Sequence, residues 1–557
     1  MSFVWTNPYL STRAPTFARN MVSTSQPLAA QAGLRMLARG GNAADAAIAA
    51  AAVITLTEPC SNGLGSDNFA LVWDPRSGPD GELHGLNSSG IAPAAWSLDY
   101  FQRKYGGDLP AQRPVRGWDT VTVPGAVAGW VALHTRFGKL SFSDVLAPAI
   151  EYAERGFAVS PVVHAKWVAA QPVLQSQPGF AEHFLPRGRA PEIGEHFVLQ
   201  GAARTLKAIA ESHGAAFYVG EIGAAIARHA REHGGALTQA DLAAYWEASS
   251  KPADIGAQWV RPISRDFAGH TVHQIPPNGQ GIATLIALGI LEHLPIADAA
   301  LDSADWHHLL IEAMKLGFAD TYAHVADPRG MRITHAHMLD DAYLAERAKL
   351  VDLQRAQDFH AGTPPRGGTI YLAAADASGM MVSLIQSNYM GFGSGIVVPG
   401  TGVSLHNRGH AFALDAMHPN VVRPHHRPFH TIIPGFLTRV HDGKRVPQMA
   451  FGVMGANMQP QGQVQALARM LIARQQPQAA CDAPRWKWNS DVSIETEATL
   501  PREVVRELQS RGHRVVHAND SYMDFGSGQF IWRLGDPAVD GYVGASDARR
   551  DSQAVGF

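Results

Sequence analysis

The sequence predicts an α/β protein of the α+β kind, a helix-rich part followed by a strand-rich part. Three observations carry this. Helical patterns dominate from about Gly138 to Gly330, and short β-rich segments replace them from Ile370 onward. Between the two lies Ala361-Gly362-Thr363-Pro364-Pro365-Arg366-Gly367-Gly368, whose prolines and glycines exclude regular structure.

In chain order, Ser25-Gln26-Pro27 opens a helix that runs to Ala38, with proline in its first turn and Gly40-Gly41 beyond its end. Asn42 is a residue type that satisfies the free N–H groups of a new helix, and it starts an alanine-rich one from Ala43 to about Ile54. Alanine permits close packing, so this helix is expected to be buried. Phe69 to Asp74 and the segment after Gly81 read as strand and turn. Phe142–Arg155, Ala202–Ser212, Ile222–Glu232 and Trp306–Ala323 read as helices. Ile370–Ala375, Met381–Ile385, Val403–Leu405, Thr431–Thr438 and Gln448–Val453 read as strands, and Pro460–Ala473 as a last helix. No internal repeat is visible.

At 557 residues with 46% hydrophobic content, the chain can bury a large core. Charged residues are 17%, which excludes a chain kept disordered by charge. Lys+Arg 46 against Asp+Glu 49 leaves −3, so no global field draws in nucleic acid or an anionic membrane. Cys60 and Cys481 can form at most one disulfide. Met1 to Pro8 lacks a basic stretch followed by an apolar one, and the longest apolar run, Ala43 to Leu56, is too short to span a bilayer and contains Asp45. A soluble, cytoplasmic, enzyme-sized protein is expected, with no nucleic-acid or membrane partner and no cofactor.

Thr369 is the first chemical feature. It stands where the Gly367-Gly368 loop meets a strand, and Asp376-Ala377-Ser378-Gly379 then turns the chain into the paired strand. If the chain is cut before Thr369, the residue gains an α-amine with a pKa near 7.7–8.0, able to accept the proton of its own hydroxyl. One residue then supplies nucleophile and base. Gly368, lacking a Cβ, leaves the preceding carbonyl open to that hydroxyl. A plain loop-to-strand junction is the alternative for Gly-Gly-Thr by itself.

Longer motifs decide between them. Gly40-Gly41-Asn42-Ala43-Ala44-Asp45-Ala46-Ala47, Glu58-Pro59 through Gly63-Leu64-Gly65, and Val123-Pro124-Gly125-Ala126-Val127-Ala128-Gly129-Trp130 are joined by Glu312-Ala313-Met314-Lys315, Phe392-Gly393-Ser394-Gly395, Pro399-Gly400-Thr401-Gly402 and Ala545-Ser546-Asp547-Ala548-Arg549. Together they resemble the γ-glutamyltranspeptidase family of amino-terminal-nucleophile hydrolases over nearly the full length. The resemblance implies a four-layer αββα sandwich. It also implies a precursor cut between Gly368 and Thr369, with a large subunit, 1–368, and a small one, 369–557, associated as one body. A homodimer of that heterodimer stays open. The family's second hydroxyl falls on Ser387, and its oxyanion-binding glycine pair on Gly455-Ala456. Alanine at the second position is compatible with that role if its φ and ψ are ordinary.

The substrate side departs from the family pattern. Ser89 stands where an arginine binds the glutamyl α-carboxylate, Tyr389 where an asparagine is usual, Ala411 where an aspartate pairs with the α-ammonium, and His430-Thr431 where a serine pair helps hold the carboxylate. Losing charge-assisted hydrogen bonds of roughly 1.5–3 kcal/mol each weakens recognition of a zwitterionic glutamyl end by orders of magnitude. Gln386-Ser387-Asn388-Tyr389-Met390-Gly391-Phe392-Gly393 is similar to the oxamate amidohydrolase branch. This implies a small carboxylate-bearing amide as substrate, its carboxylate held by Arg408, His430 or Thr431; a salt bridge for Arg408 and a core position for His430 are the structural alternatives. γ-Glutamyl hydrolysis or transfer, β-lactam side-chain acylase action, and an uncleaved homologue acting as a binding partner are the competing readings.

Three further features read as structural. The histidines of His418–His430 lack zinc-site spacing and are interrupted by proline, so no metal is expected there. His308 and Glu312, one helical turn apart, read as a solvated or intersubunit pair. Gly63-Leu64-Gly65-Ser66-Asp67 reads as a tight turn beside the active site rather than a phosphate loop.

Overall fold

The computed structural model describes residues 13–106, 114–251, 253–360, 368–518 and 525–557. The reading of Met1 to Pro8 and the Pro/Gly stretch up to Gly367 lie outside them. Gly368 itself opens a strand, Gly368–Ala375.

Two seven-stranded antiparallel sheets stack face to face. The first runs, edge to edge, Thr16–Ala18, Tyr542–Ser546, Ser527–Arg533, Lys444–Met454, Gly435–His441, His270–Gln274, Ile263–Phe267. The second runs Gln553–Gly556, Met21–Thr24, Gly368–Ala375, Met381–Tyr389, Asp67–Asp74, Glu82–Ser88, Gln258–Val260. Helices Pro27–Ala38 and Ala43–Thr57 cover the second sheet, and Gly281–Leu291, Met458–Leu471 and Pro477–Asp482 cover the first. The expected four αββα layers are therefore present. Both sheets mix strands from either side of residue 368, so neither part can complete its own core.

The alanine-rich helix is buried along all fifteen residues, as its composition predicts. Asn42 accepts from Ala44 N–H and Asp45 N–H, and Asp45 accepts in return from Asn42 N–H, closing a capping box. The helices Phe142–Arg155, Glu221–Glu232 and Ala304–His324 match their sequence signals to within a residue or two. Two expectations shift. The strand expected over Thr431–Thr438 is Gly435–His441, because Pro434 has no N–H to give a ladder. Three strands, between 258 and 274, interrupt the stretch expected to be mostly helical. Among the described residues no helix is long and apolar enough to cross a membrane.

Candidate active site

The strands Gly368–Ala375 and Met381–Tyr389 form a hairpin in the middle of the second sheet, with Leu372 opposite Leu384 and Ile370 opposite Gln386. Their outer edges pair with Met21–Thr24 and Asp67–Asp74. A bulge between Gly368 and Ile370 breaks the ladder at Thr369. The hairpin is thus rigid while its first residues are released from regular pairing.

Thr369 and Ser387 meet there. Their hydroxyl oxygens are 3.1 Å apart, and each hydroxyl donates to the Gly368 carbonyl at 2.8 Å. Ser387 Oγ accepts from Tyr389 N–H at 2.8 Å, and Thr369 Oγ1 accepts from Gln459 Nε2 at 3.3 Å. The directions are mutually consistent: each oxygen receives one N–H and sends its own proton to the carbonyl that precedes Thr369. That carbonyl is polarised by two donors.

Gly455 bounds the same cavity as Thr369 and Gly368, so the structure brings these sequence-predicted residues together. One expectation needs correcting. The Ala456 backbone is not ordinary: its φ is 50°, after 117° at Gly455, and both lie in the region that favours glycine. Gln280 Nε2 donates to the carbonyls of Ala456 (2.8 Å) and Thr431 (2.7 Å), which holds this turn against the substrate-side segment. Tyr389 also sits at positive φ, 77°, so strain gathers around Thr369 and Ser387.

Arg408 is buried against Tyr389, its guanidinium carbon 4.4 Å from the ring centroid, and its Nη1 donates to Thr431 Oγ1 at 2.8 Å. Its Nε and Nη2 have no hydrogen-bond partner among the described residues. Burial lowers the guanidinium to about 10, with Asp67 and Tyr389 opposing, so it stays charged at neutral pH. His430 Nε2 lies 3.1 Å from Asp67 Oδ2, and Ile432 N–H points to Nδ1 at 3.4 Å. The ring proton is therefore on Nε2, donated to Asp67. Burial and the Arg408 charge push His430 down to about 3. Burial raises the Asp67 carboxyl, but His406, His430 and Arg408 outweigh it and hold the group at about 2. His430 is thus a neutral link between Asp67 and the Thr431 segment. Ser89 Oγ donates to Gly90 O (3.1 Å) and accepts from Asn278 Nδ2 (3.0 Å), outside the Thr369–Ser387 hydrogen-bond cluster.

Sequence reasoning missed Gln459, Gln280 and Asn388. Gln459 Oε1 accepts from Ile433 N–H (3.0 Å), which turns its NH₂ toward Thr369. Gln463, one turn later, donates to Ile433 O (2.9 Å). The signal lay in Gln459, Gln461, Gln463 and Gln465, four buried glutamines at alternate positions of one helix. Asn388 accepts from Ser66 Oγ at 2.7 Å, fastening the glycine turn to the strand Met381–Tyr389. That turn is tight: a Cβ on Gly65 would stand 2.5 Å from Ser404 O.

The histidines of the 418–430 run serve separate partners: His418 accepts from Asn420 N–H, His425 lies 3.7 Å from Asp241, and His430 meets Asp67. His308 and Glu312 are neither solvated nor at a surface; both are fully buried, with His513 Nε2 2.8 Å from His308 Nδ1. Ala304–His324 is buried on nearly every side, which encloses them, and the Lys315 ammonium, 2.5 Å from Glu312, takes the place of a cation.

Comparison with known proteins agrees with this geometry. The Gamma-glutamyltranspeptidase family description matches residues 29–557. The chain is 34% identical to the glutathione hydrolase-like YwrD proenzyme of Bacillus subtilis over 97% of its own length and 98% of the relative's. It is 33% identical to the oxamate amidohydrolase proenzyme of Klebsiella pneumoniae, covering 95% and 97% of the two chains. The crystal structure of cephalosporin acylase from Bacillus halodurans superposes with a TM-score of 0.91 at 44% identity, covering 100% of this chain and 99% of that one. The fold is that of the amino-terminal-nucleophile hydrolases. Agreement sustained from residue 29 to the last, through the strands that bear Thr369 and Ser387, is that of a member: the chain belongs to the γ-glutamyltranspeptidase family.

Proposed function

We propose that the protein is a self-processing amidohydrolase with Thr369 as nucleophile, acting on small amides that carry a carboxylate, oxamate among them. Its relatives are proenzymes that include an oxamate amidohydrolase. In the precursor, Thr369 Oγ1 attacks the Gly368 carbonyl carbon while Ser387 donates to the carbonyl oxygen. The bond from Gly368 C to Thr369 N breaks as the hydroxyl proton passes to the departing Thr369 nitrogen, and water hydrolyses the resulting ester to leave a 1–368 subunit and a 369–557 subunit with a free Thr369 amine. In turnover that amine accepts the Thr369 hydroxyl proton as Oγ1 bonds to the substrate carbonyl carbon. The amide C–N bond breaks, and the departing amine takes the proton. Water then hydrolyses the Thr369 ester by the same proton route and releases the acid. The backbone N–H of Gly455, on the wall of the Thr369 cavity, receives the oxyanion, worth on the order of 3–4 kcal/mol in the transition state.

The observation that carries the substrate reading is the buried Arg408 guanidinium with two donor nitrogens unused, held by Tyr389 and Thr431. A buried cation with free donors is costly until a carboxylate fills them. A panel of amides followed by ammonia or amine release tests this: oxamate should exceed γ-glutamyl anilides in kcat/KM, and the reverse ranking overturns the reading. Denaturing electrophoresis tests processing, since the 59.8 kDa chain should appear as bands of about 40 and 20 kDa.

A second reading, acylase action on longer side chains, is favoured by a cavity of about 250 Å³ beside Tyr389, lined by Tyr322, Val325, Phe412 and Phe429. Glutaryl or phenylacetyl amides outpacing oxamate in the same panel would select it.

A further inference from the structure

The two sheets do not close against each other along one edge. There the chain leaves the second sheet at Gln258–Val260 and enters the first at Ile263–Phe267. The crossing is Arg261-Pro262, and proline has no N–H with which to continue either ladder. Beside this crossing lies a cavity of about 600 Å³, lined from Glu82–Ser88 on one sheet and from His270–Gln274 on the other. It is larger than the cavity of about 370 Å³ at Thr369 and shares no lining residue with it.

Three arginines from three separate elements line the edge cavity. Arg136 comes from the helix Ala126–Phe137, Arg261 from the crossing, and Arg445 from the strand Lys444–Met454. Glu82 is the one acid among the lining residues. None of the three arginines has a carboxylate partner among the described residues. Two of them are nevertheless held in place. Arg136 lies over Trp259, its guanidinium carbon 4.6 Å from the ring centroid, and its Nη2 donates to His84 Nδ1 at 3.0 Å. That donor leaves the His84 proton on Nε2, 3.3 Å from Ser77 Oγ. Arg445 Nη1 donates to Thr438 Oγ1 at 3.2 Å, and His273 Nε2 is 2.8 Å from the same oxygen.

Both histidines are buried. Burial lowers each of them, and the neighbouring arginine lowers it further, His273 to about 3. Neutral rings orient the guanidinium groups without cancelling their charge. Like charges gathered on one cavity raise its potential, and a guanidinium offers paired N–H donors that match two oxygens of a carboxylate or a phosphate. Three cations against one acid leave two positive charges for a ligand to meet.

We propose that this edge cavity is a binding site for a small oxyanion of two or more charges, built of phosphate or carboxylate groups, and separate from the site that takes the amide. Titration calorimetry with pyrophosphate and with citrate, at an ionic strength fixed with sodium chloride, tests this and tells the two chemistries apart. At least one of them should bind saturably with a Kd below about 1 mM. The active site is cationic as well, so the variants decide where the anion sits. Arg261→Gln combined with Arg445→Gln changes two exposed side chains and should weaken binding by about tenfold or more. Arg136→Gln should weaken it independently, and Arg514→Gln, at another exposed arginine, should leave it unaltered. An equal affinity in the double variant, or no saturable binding of either anion by the unaltered protein, overturns the proposal.

Discussion

Thr369 Oγ1 has few ways to point its proton, because Gln459 fills one side and the Gly368 carbonyl and Ser387 fill the other. Thr369→Ala should leave a single uncut chain without activity, whereas Thr369→Ser should still be cut, more slowly, since the hydroxyl survives but the methyl that positions it does not. A cut Thr369→Ala chain on a denaturing gel would move the scissile bond elsewhere. Gln459 gives a finer test. Gln459→Glu keeps an acceptor for Ile433 N–H but replaces the donor to Thr369 with a negative charge. Turnover should fall about ten- to hundredfold at neutral pH, the worth of one hydrogen bond to a reacting oxygen. Its ratio to the unaltered protein should recover as pH falls and the acid becomes a donor again, while Gln459→Met stays low at every pH. A flat ratio for Gln459→Glu would reduce Gln459 to a strut. At Ala456 the left-handed φ of 50° predicts that Ala456→Gly stabilises the protein, by about 0.5–1 kcal/mol, read as a raised melting midpoint.

At the scale of elements, the site depends on how the buried Ala43–Thr57 helix and the Gly368–Tyr389 hairpin lock together. Asn42 caps that helix and also donates to the Phe137 carbonyl at 2.6 Å, so Asn42→Ala should lower stability by about 1–2 kcal/mol, measurable as a drop in melting midpoint. These local features were legible because capping, turn chemistry and helical periodicity act over a few residues. The hairpin around Asp376 could be read for the same reason. The strands between 258 and 274 could not. Gln258–Val260 is only three residues long, and its partner Glu82–Ser88 is far away in the sequence. Arg408 had equal claims as salt bridge and as ligand because nothing local specifies its neighbours; only the fold brings Tyr389 and Thr431 to it while leaving two nitrogens unused. The buried His308–Glu312 pair was misread for the converse reason. Charges at helical spacing suggest a solvated face, and the second layer that covers them comes from the far end of the chain, at His513.

For the molecule as a whole, burying so many histidines makes stability depend on pH. Burial pushes His183 down to about 4 and His273 and His513 to about 3, and burial together with Arg408 brings His430 to about 3, against about 6.5 when unfolded. Between those values the unfolded chain binds more protons than the folded one, so stability rises with pH. The contribution is complete above about 6.5 and is lost as pH falls from there toward 4 and then 3. Each such histidine costs up to roughly 1.4 kcal/mol per pH unit inside that window, and their effects accumulate. Asp67, held at about 2, adds a further loss only at much lower pH. The melting midpoint should therefore be level from about pH 7 upward and fall steeply between pH 6 and 4, well before the carboxylates are protonated. His273 provides the control. It lies outside the active site, with Nε2 2.8 Å from Thr438 Oγ1 on the neighbouring strand. His273→Gln should flatten part of the acid slope and leave the pH dependence of kcat/KM where it was. A melting midpoint that holds constant down to pH 4 would mean that these rings reach solvent and titrate in the folded protein.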